Sequence, residues 1–402
     1  MSGAGGSEVV RCGFIGLGTE GCNLLRFLTT IPQGRCVALC DIYPPNLKKG
    51  METLGTHSDT YDDHRRLLER KDVDAVVIAT PLHLHAPMLL DALAAGKHVF
   101  VEKTLFFKEE EDEQIRQAAA AHPKQVLQVG LQRRSSRLFQ KAIEMVREGA
   151  LGKVLHVRSH VATNNSWRRP VVTAEYERQI NWRMYREYSG GLVAEMGSHA
   201  IDTADWVFDA EPVSVIGTGG VDYWQDGREV HDNVHVIFDY PGGARHSFYS
   251  LLYNGHPSTK QLVMGDLGTL DLTDDRGIYF REPVAKISAG PAKENWWAGS
   301  TVAKQAVKKG IPIIPDSEVK EGGFLERELH YAKNWAASMG IYRYEEPFDP
   351  YWGHLVNFFA SIQEGKPVIA PRAAGAANSL AVIYANRAID RGQKVYWPKK
   401  SA

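Results

Sequence analysis

Up to about residue 131, solid apolar runs alternate with segments whose apolar positions recur every three or four residues. The runs are Val9–Ile15, 36–40 (CVALC), Ala75–Ala79 (AVVIA), His98–Val101 and Gln125–Val129. Short runs with no polar face read as parallel strands covered on both sides. Between them, Leu24, Leu25, Phe27 and Leu28 fall on one helical face. Met88, Leu89, Leu90 and Leu93 fall on another, stopped by Gly96, and 108–121 is charged and alanine-rich. This βαβα alternation predicts an α/β, doubly wound parallel sheet with ligands at the carboxyl ends of its strands.

Beyond residue 131 the period changes. A helix is predicted at 135–148. Alternating apolar and polar positions at 154–162, 213–223, 230–240, 245–253, 260–264 and 268–272 predict a mostly antiparallel sheet, interrupted by one helix at 198–208. Residues 282–322, rich in Gly, Pro and Lys, follow no period. Helical patterns return at 324–339, 350–363 and 372–391. Two domains are expected: 1–131, and an α+β domain over 132–402.

The first strand ends in Gly16-Leu17-Gly18-Thr19-Glu20-Gly21, between strand and helix, where G-x-G-x-x-G signals a dinucleotide site. Gly16 permits the tight turn, Gly18 keeps side chains off the pyrophosphate, and Gly21 lets helix and strand pack closely. Thr19 and Glu20 lie at the helix start, whose free N–H groups favour phosphate. The second strand ends at Asp41, roughly 20–25 residues past the first glycine, where the ribose-binding acid belongs. A carboxylate there accepts from the ribose 2′-hydroxyl and repels a 2′-phosphate. The expected cofactor is NAD rather than NADP, on a Rossmann domain.

Composition narrows the remaining classes. A chain of 402 residues has room for two cores. Its net charge of −1 offers no global field for nucleic acid or an anionic membrane. No apolar stretch is long enough to cross a bilayer. Met1–Ser7 is small and polar, without a signal pattern, so a cytoplasmic protein is expected. Cys12, Cys22, Cys36 and Cys40 fall in the first strands and helix and read as buried thiols. His83 and His85 read as residues at a helix start over the cofactor, not as metal ligands. No metal is expected.

Three further stretches carry chemistry: Thr80-Pro81-Leu82-His83-Leu84-His85, Glu102-Lys103-Thr104, and Gly190-Gly191-Leu192-Val193-Ala194-Glu195-Met196-Gly197-Ser198-His199 followed by Ile201-Asp202. With the glycine turn they resemble the Gfo/Idh/MocA oxidoreductases over nearly the whole chain. That family is marked by E-K-P after a Rossmann strand and D-x-x-x-H in the second domain. The resemblance implies a Rossmann domain followed by a domain with a large open sheet, often joined into homodimers or homotetramers. It also implies oxidation or reduction of a sugar, cyclitol or related secondary alcohol with NAD or NADP.

By resemblance, Lys103 contacts nicotinamide and substrate, His199 is the general acid/base, and Glu195 is its acidic partner, with Asp202 nearby. Thr80, Pro81, His83, His85, Glu102 and Gln132 are expected around the cofactor. Thr104 stands where the family has proline, and Glu195 where it has aspartate. Trp167, Arg168, Trp182, Tyr185, Asp202 and Tyr253 are the candidate substrate residues. Their aromatic, guanidinium and polar groups suit the C–H faces and hydroxyls of a sugar. Histidine titrates near neutral pH, and a lysine near oxidised nicotinamide is lowered by like charge and desolvation, so either His199 or Lys103 could take the hydroxyl proton while the other holds or polarises the hydroxyl. The leading expectation is NAD-dependent oxidation of a ring hydroxyl, at C3, of a sugar, glycoside or cyclitol. The alternatives are a glycosidase or lyase using transient C3 oxidation and elimination, and a non-catalytic NAD-binding regulator.

Overall fold

The structure is a computed structural model describing residues 9–256, 258–282, 310–313 and 348–398. The first sheet has six parallel strands: β1 (Val10–Ile15), β2 (Gly34–Cys40), β3 (Asp59–Tyr61), β4 (Ala75–Ile78), β5 (His98–Glu102) and β6 (Leu127–Gly130). Their order is β3-β2-β1-β4-β5-β6, so the winding reverses between β1 and β4 and opens a crevice at their carboxyl ends. Strand β4 shows why solid apolar runs form here. Ala75 and Val77 join Phe14, Leu24 and Leu28 on one face, while Val76 and Ile78 join Leu89 and Leu93 on the other. The short β3 and the helices Pro44–Leu54 and His64–Leu68 carry no solid apolar run.

The second sheet, among the described residues, has nine strands. They are β7 (Val154–Ala162), β8 (Ser214–Gly220), β9 (Asn233–Asp239), β10 (Arg245–Leu251), β11 (Thr259–Gly265), β12 (Gly268–Leu272), β13 (Gly277–Arg281), β14 (Ile311–Pro312) and β15 (Val395–Tyr396). Their order is β14-β13-β12-β11-β7-β10-β9-β8-β15. The pairing is antiparallel except between β7 and β10. Strand β9 starts later than its period predicts because the Asp232 carboxylate accepts from the backbone N–H groups of Asp222, Tyr223 and Trp224, which turns the preceding residues into a loop. One face packs Phe238 and Phe248 against the helices Arg137–Arg147, Ser198–Phe208 and Arg372–Arg391. Ile216 and Ile237 are exposed on the other.

The helix Pro350–Glu364 leaves its expected domain. Leu355, Phe358 and Phe359 are buried with Phe14, Leu24 and Phe100 in the first core. A Cβ on Gly34 would lie 2.5 Å from the Phe359 ring. Gln128 Nε2 donates to His354 O at 2.8 Å. The helix predicted at 324–339 lies outside the described residues, as does most of 282–322. No helix among the described residues is long and apolar enough to cross a membrane.

Candidate active site

A cleft of about 1440 Å³ opens at the carboxyl ends of β1, β4 and β5, walled on its far side by the second domain. Thr19, Glu20, Thr80, Pro81, His83 and His85 line it with the glycine turn. Gly16 has φ +91°, and a Cβ there would stand 2.6 Å from Ala79 O. A Cβ on Gly21 would stand 1.9 Å from Gly16 O. Both therefore need hydrogen in place of a side chain. Gly18 is different: a Cβ there would meet nothing within 4 Å, because the residue faces the cleft. The helix Thr19–Leu28 starts there with no side-chain cap. Its first N–H groups and its dipole are left for an anion. These residues fit a dinucleotide pyrophosphate.

Asp41 ties this turn to β2. Its Oδ2 accepts from Leu17 N at 2.7 Å and from Asn46 Nδ2 at 3.1 Å, and its Oδ1 accepts from Tyr43 N at 2.8 Å. Burial pushes this carboxyl up, opposed by the Leu17 and Tyr43 N–H donors. It lines the cleft beside exposed Ile42, where a ribose would lie.

The reacting end is built where β5 stops. Glu102 is buried; its Oε1 accepts from Gln132 Nε2 at 2.6 Å and its Oε2 from Lys103 N at 3.2 Å. Burial, and then neighbouring Glu20, push the Glu102 carboxyl well up. Gln132 supports this floor from behind and does not line the cleft. The Thr104 hydroxyl donates to Phe106 O at 3.1 Å, and His85 spans Thr104 O at 2.7 Å and Thr80 O at 2.9 Å. His83 packs on Tyr188, ring centroids 4.7 Å apart. The two histidines thus face different partners.

Lys103 Nζ donates to Glu195 O at 3.3 Å and lies 3.9 Å from Glu195 Oε1. Glu195 sits in a π-helical turn, Val193–Gly197, that runs into the helix carrying His199. Such turns insert an extra residue and often occur at functional sites. Burial pushes the Glu195 carboxyl up, but Arg183, whose Nε donates to it at 2.5 Å, and then Lys103 outweigh burial and hold it down at about 2. For His199, burial and then the charge of Lys103 hold the imidazole well below its ordinary value. His199 lines the cleft, and its buried Nδ1 has no hydrogen-bond partner among the described residues. The site therefore holds an ionised carboxylate, a lysine and a neutral histidine.

Of the predicted substrate residues, Trp182 lines the cleft, with the Arg183 guanidinium 4.2 Å over its ring. The others do not line it. Arg168 pairs with Glu177 and donates to Asp226 O, and Tyr185 OH donates to Glu177 Oε1 at 3.2 Å. Asp202 is clasped by Arg134, Nη2 to Oδ1 at 2.7 Å. Trp167 packs against the second core. Tyr253 packs on Tyr223, centroids 5.3 Å apart. The cleft also takes Arg169 and Arg183, from the amide-, guanidinium- and aromatic-rich stretches 164–169 and 182–185 that suit a sugar, and it adds Tyr188 and Tyr351, which the sequence did not mark. Arg169 and Arg183 stand in tryptophan–arginine runs, a usable signal; Tyr351 arrives from a distant helix and has none.

The fold and cleft define the class: one sheet is shaped for a dinucleotide, and the helix packed on the second sheet brings Glu195 and His199 to the same cleft. Residues 10–131 match the oxidoreductase family with an NAD-binding Rossmann fold, and residues 139–271 match the GFO/IDH/MocA C-terminal domain. The chain belongs to the Gfo/Idh/MocA oxidoreductase family, and its cofactor is NAD. Glycosyl hydrolase family 109 protein 1 of Phocaeicola vulgatus is 30% identical over 207 residues, 47% of this chain and 42% of that protein. The alpha-N-acetylgalactosaminidase of Shewanella oneidensis is 29% identical over 186 residues, 44% of this chain and 40% of its own length. The alignments thus span less than half of these relatives. Among solved structures, scyllo-inositol dehydrogenase from Lactobacillus casei, with bound NAD(H) and scyllo-inositol, superposes with a TM-score of 0.68 at 20% identity, over 97% of this chain and 99% of that one. Aldose-aldose oxidoreductase from Caulobacter crescentus gives 0.71 at 20% identity, over 97% and 100%. At that identity the likeness is one of fold.

Proposed function

We propose that this protein oxidises a secondary ring hydroxyl, at C3, of a sugar, glycoside or cyclitol. The observation that carries the reading is that His199, held neutral, lines the same cleft as Lys103 and the open glycine turn. NAD, when bound, supplies the hydride acceptor. His199 takes the hydroxyl proton, because a neutral imidazole has a lone pair to offer. Lys103 donates a hydrogen bond to the hydroxyl oxygen and keeps it oriented. Glu195, ionised by Arg183 and Lys103, anchors the lysine.

The relatives named for glycosyl hydrolysis favour a second reading, in which C3 oxidation is transient and an aglycone is eliminated. That reaction is helped by an acid for the leaving group. The carboxyl beside Lys103, Glu195, is ionised at neutral pH and does not serve. Glu102, whose carboxyl is pushed well up and which also lines the cleft, is the acid this second reading would use. We also infer a cytoplasmic homodimer or homotetramer, joined through the sheet face that exposes Ile216 and Ile237. The test is a screen of free sugars, cyclitols and glycosides, following NADH and aglycone together. A 3-keto product with equal NADH supports the proposal. Aglycone release without net NADH, with deuterium entering at C2 in D₂O, decides for the second reading. Activity confined to acyclic hydroxy acids sinks both.

A further inference from the structure

Asn181 is only 1% exposed and grips the backbone of Arg169 from both sides. Its Oδ1 accepts from Arg169 N at 2.7 Å, and its Nδ2 donates to Arg169 O at 3.0 Å. The preceding residue is also fixed, because Arg168 pairs with Glu177 and donates to Asp226 O. The backbone at residue 169 is thus held firmly, yet its side chain is not engaged. The Arg169 guanidinium has no hydrogen bond or ion pair among the described residues, and the residue lines the cleft. Burial, and then the like charge of Arg183, push it down from its ordinary value, with Glu195 opposing. Asn181, which grips Arg169, stands two residues before Arg183, whose Nε donates to Glu195, so the chain at 169 runs beside the reacting end of the cleft.

The charge balance there is uneven. Glu195 already serves Arg183 and Lys103. Arg178, the next cation along this wall, pairs with Glu187 and stacks on Tyr185. Lys103, Arg169 and Arg183 therefore face Glu195 as their ionised carboxylate, with the Glu20 carboxyl, pushed up by burial, beside Lys103 and Arg183. An unpaired guanidinium beside another cation is an unfavourable arrangement that an incoming anion relieves.

We propose that Arg169 is a specificity determinant that reads a carboxylate on the substrate ring, so that the substrate is a uronic acid or its glycoside, with Asn181 as the positioning residue. The inference rests on the carbohydrate-oxidation reading above. A guanidinium presents a planar fork that matches a carboxylate with two parallel hydrogen bonds. A pyranuronate carries its carboxylate on C5, across one ring atom from C3, so one ring can face both Arg169 and His199. The other anion that enters this cleft is the cofactor pyrophosphate, whose place is over Gly18.

Calorimetry separates the two. Methyl β-D-glucuronide and methyl β-D-glucoside are titrated into the NAD-loaded protein, and NAD into the protein alone. A charge-assisted hydrogen bond is worth about 1.5–3 kcal/mol, or about 10–150-fold in Kd. The glucuronide is expected to bind at least about tenfold tighter than the glucoside, with the margin shrinking as salt rises. Arg169→Gln should abolish the margin, Arg169→Lys should keep part of it, and Asn181→Ala should reduce it. The Kd for NAD should move by less than about threefold in Arg169→Gln. Equal wild-type affinity for the two glycosides overturns the proposal. So does an Arg169→Gln protein that keeps the margin but binds NAD about tenfold more weakly, which assigns the guanidinium to the pyrophosphate. Because binding is read, a glucuronide margin without turnover supports the anion site while removing the oxidation reading.

Discussion

Gly18 and Gly21 lie three residues apart in one turn, and a methyl group added to each should do opposite things. In Gly21→Ala the new Cβ would stand 1.9 Å from the backbone oxygen of Gly16, while contacts below 3.0 Å are not sustained. The helix Thr19–Leu28 must back away from β1 by about an ångström, and no flexible side chain can yield instead. Overpacking of this kind costs about 1–3 kcal/mol. At about 2–4 °C per kcal/mol for a domain of 150–250 residues, the melting temperature should fall by about 2–12 °C without any cofactor present. In Gly18→Ala the methyl meets no atom of the described residues within 4 Å, and the backbone at φ −65° accepts any residue. Stability should change by less than about 1 kcal/mol, the scale of an N-cap preference. The methyl does, however, stand where the pyrophosphate approaches the helix N-terminus. Loss of one charge-assisted hydrogen bond there should weaken NAD binding by about tenfold or more. Thermal melts of the cofactor-free variants and NAD titrations followed by tryptophan fluorescence give both readouts. The reasoning is refuted if Gly18→Ala binds NAD like the wild type, or if it melts below Gly21→Ala.

Two further expectations concern the reacting groups and the ribose site. Lys103→Ala and His199→Ala should each lower kcat by about 10²–10⁴ with NAD binding largely kept; near-normal turnover in either removes that residue from the reaction. His199 must be neutral to accept a proton, and its site holds it well below the ordinary imidazole value of 6.5. kcat/KM should therefore survive as the pH falls through 6.5 and drop only below it, and a limb at or above 6.5 contradicts the assignment. NAD should bind more tightly than NADP, and Asp41→Ala should narrow the gap. The same change should also lower stability by about 1–3 kcal/mol, because the N–H groups of Leu17 and Tyr43 lose their acceptor. Equal wild-type affinity for the two cofactors would defeat the first expectation, and unchanged urea unfolding the second.

What could be read from sequence was local. The glycine turn, Asp41 at the end of β2 and Lys103 at the end of β5 follow from strand ends, which periodicity marks. The helices 198–208 and 372–391 and the strands 154–162 and 268–272 have the bounds their periods predict. The π-turn at Val193–Gly197 escaped because an inserted residue leaves no period of its own. The Arg183–Glu195 pair and the Asn181 grip on Arg169 join residues twelve apart across irregular backbone, where spacing carries no register. Arg168 and Tyr185 show the reverse: their residue types suit a sugar, but Glu177 engages both. The sequence contains that carboxylate, and only the fold shows what it faces.

The helix Pro350–Glu364 gives the protein a timetable. The first sheet looks self-sufficient in sequence order, yet the core beneath β1 and β5 closes only when Phe358 and Phe359 arrive. The hydrogen bond from Gln128 to His354 spans 226 residues of chain. At about 5–20 residues per second, that is about 10–45 s of synthesis between its two partners. Throughout that interval the nascent Rossmann sheet presents Phe14, Leu24 and Phe100 with one wall missing. The cofactor domain is thus translated first and finished late, and a ribosome stalled before residue 355 holds a chain whose first core lacks Leu355, Phe358 and Phe359.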